Sequence, residues 1–262
     1  MTQRFLHLPG QTTVGKNADL LYDDLASVLM VRGTEAVQNR RVFHLALSGG
    51  STPEPFYMRL VMDPRYRAMP WDKVHVWLVD ERRVDEHDER SNWKMVCETL
   101  LDHVPIPARQ LHPIPALHPD PVGRYEAQLR LVFQMSDCAT QPPRFDMILL
   151  GMGEDCHTAS LFPRSAALQV YDHWLTVNTG EYVTPPERVT MTYPLINAAR
   201  HIGVLVVGAA KNIALQRVSD QMRRGPDPTR LPITGVAPMA GGAADMVWYL
   251  DPAAAGMNPE DV

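Results

Sequence analysis

The glycine-rich turn after a predicted buried strand at 145–150 carries a histidine and a carboxylate two residues apart. In this turn Asp155 precedes His157, and both follow Gly151 and Gly153. An imidazole can act as a general base near neutral pH, and a neighbouring carboxylate can fix which ring nitrogen carries the proton. The pattern favours proton transfer by His157 with Asp155 as its partner. A pair that only caps a helix is the alternative that the sequence leaves open.

A second turn contains groups that bind anions. Ser48, Gly49, Gly50, Ser51 and Thr52 lie between a predicted strand and a predicted helix, where backbone N–H groups and hydroxyls can face a ligand. The turn is neither a P-loop nor a dinucleotide-binding loop, because it lacks both the Gly-Lys-Ser/Thr and the G-x-G-x-x-G pattern. A phosphate site and an ordinary strand-to-helix turn both remain open.

Further charged residues lie at the ends of other predicted strands. Asp80 directly follows the strand 73–79, where a carboxylate can orient water or a substrate hydroxyl, and Arg82 can hold a phosphate through two parallel hydrogen bonds. Arg188 precedes the strand 189–192, and Lys211 begins the helix after the strand 202–207. Each could be a surface charge. Together they predict a site for a phosphorylated small molecule, in which the His–Asp pair performs hydrolysis or proton transfer.

Short apolar segments alternate with segments of helical periodicity, which predicts the elements that position these residues. The predicted strands are 42–47, 73–79, 145–150, 174–178, 189–192, 202–207 and 247–250, and the predicted helices are 17–31, 54–61, 91–101, 122–135, 194–199 and 209–222. Segments 80–90 and 105–121 are predicted loops. The alternation indicates an α/β fold with a mainly parallel, doubly wound sheet and helices on both faces. Such sheets bind ligands beyond the carboxyl ends of their strands, so we expect the turns to meet there.

Length and composition favour one globular domain over residues 1–262, with a loosely held tail at 252–262. Of 262 residues, 45% are hydrophobic and 21% charged, which excludes bulk disorder. A net charge of −5 argues against general binding to nucleic acid or anionic membranes. Three dispersed cysteines exclude a disulfide framework and a cysteine-rich zinc site. With no secretory signal and no bilayer-spanning apolar run in the sequence, we expect a cytoplasmic protein.

Taken in order, these segments resemble the 6-phosphogluconolactonase family of the oxidative pentose phosphate pathway. The resemblance is carried by residues 45–53 (LALSGGSTP), 77–82 (WLVDER), 91–92 (SN), 151–163 (GMGEDCHTASLFP), 188–192 (RVTMT) and 208–211 (GAAK). It extends over about residues 15–250. Each loop alone is weakly specific, whereas the ordered set is strongly specific.

The resemblance implies a fold shared with glucosamine-6-phosphate deaminases and hydrolysis of 6-phosphogluconolactone to 6-phosphogluconate. It implies no metal or organic cofactor, and as partner only a phosphorylated sugar lactone, bound by a monomer or small homo-oligomer. His157 would activate water as general base, and Asp80 and Asp155 would orient the groups around it. The 6-phosphate and sugar would be surrounded by Ser48, Gly49, Gly50, Ser51, Thr52, Arg82, Arg188 and Lys211.

One residue departs from the family pattern. Members usually carry glycine between the aspartate and the histidine, where this chain has Cys156. If the position requires a left-handed backbone, the cysteine costs about 1–2 kcal/mol. A thiol next to the site could also be open to oxidation.

Two alternative functions use the same kind of fold. A glucosamine-6-phosphate deaminase would carry a glutamate five residues after the histidine, and this chain has Phe162 there, which cannot transfer protons. A sugar-phosphate-binding protein without activity is the second alternative. A transcriptional sensor of this kind would need a DNA-reading domain, and no basic helix-turn-helix pattern precedes residue 42.

Overall fold

Ten strands and seven α-helices make up the regular structure of the computed structural model, which describes residues 6–136, 138–239, 245–258 and Glu260. The strands are β1 Gln11–Val14, β2 Phe43–Leu47, β3 Val74–Leu78, β4 Asp80–Arg82, β5 Leu111–His112, β6 Met147–Gly151, β7 Leu175–Thr179, β8 Glu187–Met191, β9 His201–Val206 and β10 Asp245–Leu250. The helices are α1 Ala18–Arg40, α2 Glu54–Met62, α3 Asn92–Thr99, α4 Pro121–Val132, α5 Tyr193–Asn197, α6 Asn212–Met222 and α7 Pro252–Ala255.

The larger sheet has seven parallel strands in the order β1-β10-β9-β6-β2-β3-β5, which confirms the predicted fold class. Strands β2 and β9 are buried along their whole length, as expected for continuous apolar runs covered on both faces. The chain passes from β2 outwards through β3 to β5 and then returns to β6 on the other side of β2. This reversal opens a crevice beyond the carboxyl ends of β2 and β6.

Three short strands differ from the predicted elements. Asp80–Arg82, predicted to begin a loop, is β4 and pairs antiparallel with β8, which also pairs with β7 in a separate three-stranded sheet. The predicted loop 105–121 contains β5 at the edge of the larger sheet, and β1 lies in a segment with no predicted strand. These segments are short and mostly polar, so their partners rather than their own periodicity make them strands. Arg188 consequently lies inside β8 and not before it.

The start of the predicted loose tail is packed against the rest of the chain. Asp251 Oδ1 accepts hydrogen bonds from the backbone of Ala254 and of Gly208, both at 2.9 Å. Asn212 of α6 donates from Nδ2 to the carbonyl of Ala254 at 2.9 Å, and Ala254 is fully buried. The small side chains that suggested a loose tail allow this close contact instead. Asp251 thereby fixes the turn at Gly208 that leads to Lys211.

A cluster of uncharged histidines lies inside the sheet layer. Gln128 donates from Nε2 to His112 Nδ1 at 2.9 Å, so the Nε2 of His112 donates to His75 Nδ1, also at 2.9 Å. Trp77 stacks on His112 with 3.8 Å between ring centroids, and its Nε1 faces His44 Nδ1. Burial, and then the neighbouring histidines, lower the pKa of His44 and of His112 from 6.5 to about 3.

This cluster predicts acid sensitivity. The folded state keeps these rings neutral, whereas the unfolded chain takes up protons below about pH 6.5. The free energy of unfolding is therefore unaffected by these rings above about pH 6.5 and falls as the pH drops towards 3. Each ring contributes up to about 1.4 kcal/mol per pH unit. His44→Gln, whose amide oxygen can still accept from Trp77, should reduce the slope of unfolding free energy against pH by about that amount. Urea unfolding at pH 7, 6 and 5 measures both slopes, and equal slopes would contradict this assignment.

Candidate active site

A cavity of about 430 Å³ opens beyond the carboxyl ends of the central strands. Its lining includes the predicted residues Ser48, Gly49, Gly50, Ser51, Thr52, Asp80, Arg82, His157, Arg188 and Lys211. Asp155 is the one predicted site residue outside it, and it lines an adjoining cavity that shares Phe162 with this one. Turns that are distant along the chain therefore meet in one place, because β2, β6 and β9 are neighbours in the sheet.

His157 and Asp155 form a hydrogen-bonded pair at the wall of this cavity. Asp155 Oδ1 lies 2.6 Å from His157 Nδ1 and also accepts the His157 backbone N–H at 3.1 Å. Burial raises the pKa of Asp155, but the hydrogen bonds and the imidazole outweigh this effect and lower it overall. An ionised Asp155 accepts the proton of Nδ1 and leaves Nε2 as the basic nitrogen. The imidazole is 28% exposed, so water can reach it.

The turn before His157 has a strained but well-packed backbone. Cys156 has a φ of 68°, the left-handed conformation in which the usual glycine of the family costs nothing. Its side chain is fully buried, with Sγ 3.7 Å from the carbonyl of Ala214 in α6, and its carbonyl accepts from Ile233 at 3.0 Å. Burial raises the pKa of the thiol to about 11, which argues against the oxidation considered from the sequence.

Gly153 makes room for the hydrogen-bonded pair of His157 and Asp155. A Cβ at this position would lie 2.2 Å from Nδ1 of His157 and 2.6 Å from Oδ1 of Asp155. We expect Gly153→Ala to displace the imidazole and to lower kcat by about 10²-fold with little change in melting temperature. In a His157→Ala background there is no imidazole to displace, so the same substitution should have almost no further effect on kcat. Additive losses in this double-mutant cycle would contradict the steric explanation.

Asp80 is a buried residue that is held directly by Ser160 and by Asn92 of α3. Ser160 donates from Oγ to Asp80 Oδ2 at 2.5 Å, and Asn92 of α3 donates from Nδ2 to the Asp80 carbonyl at 2.9 Å. Ser160 is itself fixed by Thr190 of β8 and by Asn178 of β7, at 3.1 and 2.7 Å. The hydroxyl of Ser160 is therefore committed to Asp80, which argues against a nucleophilic serine.

Arg188 is a buried cation without a complete set of partners. It is 5% exposed, and its Nη1 has no hydrogen-bond partner among the described residues. Burial, and then repulsion from Arg82, lower its pKa to about 10, so it stays charged at neutral pH. Arg82 donates from Nη1 to the carbonyl of Arg90 at 2.6 Å. Arg188 lines the cavity, and a buried cation whose N–H groups are not all satisfied indicates a place for an anion.

In the turn after β2, one of the hydroxyls predicted to bind a ligand is already used within the fold. Ser48 donates from Oγ to the carbonyl of Leu149 at 2.8 Å, and its own carbonyl accepts from Tyr57 at 2.7 Å. This hydroxyl ties β2 to β6 and cannot also donate to a ligand. A Cβ on Gly49 would lie 1.9 Å from Asn92 Oδ1, and Gly50 has a φ of 92°. Both glycines are thus required by the close approach of α3 and by the left-handed turn.

Two residues that support the site have roles that the sequence alone does not indicate. Asn92 is recognisable only as part of a helix start, and its contact with Asp80 depends on the fold. Glu81 is almost fully buried and accepts the backbone N–H groups of Arg82, Asn92 and Trp93 at 2.7 to 2.8 Å. Burial raises the pKa of Glu81, and these hydrogen bonds oppose the rise. The sequence holds one signal for both residues, because segments 77–82 and 91–92 both match the family pattern. Glu81 connects these two segments directly.

The described residues offer no metal centre. Within 6–136, 138–239, 245–258 and residue 260, no three His, Cys, Asp or Glu side chains are grouped so that they could hold an ion. The polar groups of the cavity are instead a base, a buried carboxylate and cations, which suit an anionic organic ligand. In the same part of the chain, no helix combines the length and apolar character needed to cross a bilayer.

Comparison with known proteins gives a consistent result. The family described as glucosamine-6-phosphate isomerases/6-phosphogluconolactonase matches residues 16–248. A curated 6-phosphogluconolactonase from Synechocystis sp. is 38% identical over 244 residues, covering 92% of this chain and 95% of that protein. The solved 6-phosphogluconolactonase of Leishmania guyanensis is 28% identical with a TM-score of 0.77, covering 94% and 98% of the two chains. A monomeric glucosamine-6-phosphate deaminase has a TM-score of 0.74 at 18% identity over 94% and 99%, which shows a shared fold alone.

Proposed function

The chain belongs to the family of glucosamine-6-phosphate isomerases and 6-phosphogluconolactonases, and we propose that it hydrolyses 6-phospho-D-glucono-1,5-lactone to 6-phospho-D-gluconate in the oxidative pentose phosphate pathway. The observation that carries this proposal is that a basic imidazole and a buried, incompletely paired arginine line the same cavity. His157, with Nδ1 bonded to Asp155, lines the same cavity as the buried, incompletely paired Arg188. A base and an anion site are what a phosphorylated lactone requires.

Binding uses the phosphate that is remote from the reacting carbon. Arg188, Arg82 and Lys211, together with the 48–52 turn, surround the 6-phosphate and the sugar hydroxyls. Charge-assisted hydrogen bonds to the phosphate supply binding energy that orients the lactone carbonyl towards His157. Asp80, fixed by Ser160, orients a sugar hydroxyl or water beside it.

Hydrolysis then proceeds by attack of water. The Nε2 of His157 accepts a proton as the water oxygen bonds to C1, and the carbonyl becomes a tetrahedral oxyanion. Collapse breaks the bond between C1 and the ring oxygen, and the imidazolium returns its proton to that oxygen. Ionised Asp155 stabilises the imidazolium in between. The step consumes one water and needs no covalent enzyme intermediate and no cofactor.

A deaminase of the same family is disfavoured by one residue. Phe162, where a deaminase would carry glutamate, lines the cavity with its ring centroid 5.1 Å from that of His157. An apolar ring at this place cannot move protons between carbon and oxygen, as isomerisation requires. The imidazole instead has an apolar neighbour that limits the water around it.

Turnover of two substrates tests the proposal. Freshly generated 6-phosphogluconolactone should disappear well above its spontaneous rate when the protein is added, as followed by NMR with the background subtracted. Glucosamine 6-phosphate should release no ammonia. Ammonia release without lactone hydrolysis would reverse the assignment, and thermal stabilisation by 6-phosphogluconate without turnover would indicate an inactive binding protein.

We also propose that this activity is cytoplasmic and belongs to a monomer or small homo-oligomer. The three cysteines are unpaired in the structure, which suits a reducing compartment. Sedimentation of the active protein measures the oligomeric state directly.

A further inference from the structure

A second cavity, of about 370 Å³, opens at the amino-terminal edge of the larger sheet. We call it the amino-edge cavity. Three of its lining residues are Arg40 at the end of α1, Arg144 ahead of β6, and Arg200 ahead of β9. Asp146 is the only carboxylate among the described lining residues. The cavity therefore carries an excess of positive charge that does not belong to the site described above.

Asp146 already accepts three hydrogen bonds from two of its neighbours. Its Oδ1 accepts from Nε and Nη2 of Arg40 at 3.0 and 2.6 Å, and its Oδ2 accepts the backbone N–H of His44 at 2.8 Å. Arg200 Nε lies 3.5 Å from the same Oδ1 but is buried without a hydrogen-bond partner among the described residues. Arg144 donates only to a carbonyl, that of residue 198, at 2.9 Å. Arg200 thus shares the charge of Asp146 with Arg40, and Arg144 has no carboxylate partner among the ion pairs of the described residues.

These arginines lie close enough to repel one another. The pKa of Arg200 is lowered by burial first, then by the charges of Arg40 and Arg144, and Asp146 only partly opposes the shift. A cluster of like charges that is partly withdrawn from water is costly unless an anion joins it. Among the described lining residues, Asp146 supplies one negative charge against three arginines, which leaves two positive charges unbalanced.

Other residues of the lining are apolar or aromatic. Phe133 and Met135 line the cavity, and His44 stacks on Phe133 with 3.9 Å between ring centroids. Burial lowers the pKa of His44 to about 3, so this ring is uncharged at neutral pH and behaves as part of the aromatic surface. A ligand here would meet both cations and a flat apolar surface.

We propose that the amino-edge cavity binds a phosphate monoester whose organic part is flat and apolar. Such an ester carries close to two negative charges at neutral pH, which matches three arginines set against one carboxylate. Guanidinium groups fit phosphate oxygens through paired hydrogen bonds, and a flat group can stack on the Phe133–His44 surface. The five residues of β2 separate this cavity from the catalytic one by roughly 15 Å, so the two sites are distinct.

Phenyl phosphate is the probe, and calorimetry measures its binding. The protein carries Arg188→Met, so that the buried arginine of the catalytic cavity does not contribute to the measurement. In this background we expect one phenyl phosphate per chain, with inorganic phosphate binding more weakly because it cannot contact Phe133. Adding Arg144→Gln or Arg200→Gln should weaken the affinity for phenyl phosphate by at least about tenfold. Arg67→Gln, at an exposed arginine that lines neither cavity, is the matched control and should leave the affinity unchanged.

The melting temperature without ligand separates a binding role from a structural one. Arg200→Gln relieves repulsion, so the unliganded variant should melt at or above the parent protein. The proposal is wrong if Arg200→Gln lowers the melting temperature and leaves phenyl phosphate affinity intact. It is equally wrong if phenyl phosphate fails to bind Arg188→Met, or if 6-phosphogluconate competes with it there.

Discussion

Replacing His157 by alanine is expected to lower kcat for 6-phosphogluconolactone by about 10²–10⁴-fold, the usual contribution of a general base. KM should change little, because Arg188, Arg82 and Lys211 are untouched and still bind the phosphate. The melting temperature should stay near that of the parent protein, since the imidazole is at a cavity wall and its main contact is to Asp155. A fall in kcat without a change in KM is the result expected for a group that acts only in the transition state.

The matched control is His87→Ala, which removes an imidazole that is 87% exposed and lies outside the cavity. Stopped-flow or NMR measurement on fresh lactone, with the spontaneous rate subtracted at each substrate concentration, separates kcat from KM. Near-normal kcat in His157→Ala would remove this residue from the mechanism. An equal loss in His87→Ala would show that the assay reports something other than the proposed chemistry.

Arg188→Met should raise KM by about 10–100-fold, the loss expected when a charge-assisted contact to phosphate disappears. Methionine is similar in length and apolar, so it fills the buried position without an unpaired guanidinium. We therefore expect the variant to be at least as stable as the parent protein, which reverses the usual cost of a buried substitution. Loss of affinity together with gain of stability would identify a residue kept for binding rather than for folding.

The charge on Arg188 also predicts a pH limit for binding. Its pKa near 10 means that the group loses its proton as the pH rises through that value, so affinity for 6-phosphogluconate should fall above about pH 10. Arg188→Met should show no such limit. Calorimetric titration of the stable product, rather than the labile lactone, measures this. A KM unchanged in Arg188→Met, with the same high-pH limit, would place the phosphate elsewhere in the cavity.

The sequence is sufficient to predict the sheet and the three turns because their physical signals are local. Runs such as 43–47 are apolar throughout, which indicates a strand covered on both faces. Glycine-rich turns that follow such strands must lie at one edge of a parallel sheet, so the sequence alone places His157 near the Ser48–Thr52 turn, and both line the same cavity. The cost of Cys156 also follows from its position, and its φ of 68° agrees with the conditional expectation.

What the sequence could not supply depends on pairing between distant segments. Ser160 contacts Asp80, and both are positioned by the pairing of β4 with β8, which no periodicity in Asp80–Arg82 indicates. Asp155 lines the adjoining cavity rather than the one that His157 lines, which the two-residue spacing does not indicate. The arginines of the amino-edge cavity come from three separate segments, and only the folded sheet brings them together.

The central claim is that one cavity holds the phosphate at its cationic groups and the reacting carbon at His157. A crystal structure of the protein with 6-phosphogluconate tests it most directly. We expect the phosphate to contact Arg188 and the carboxylate at C1 to lie beside His157 Nε2, on the side from which the attacking water would come. Product bound with its phosphate at His157, or bound outside this cavity, would contradict the account.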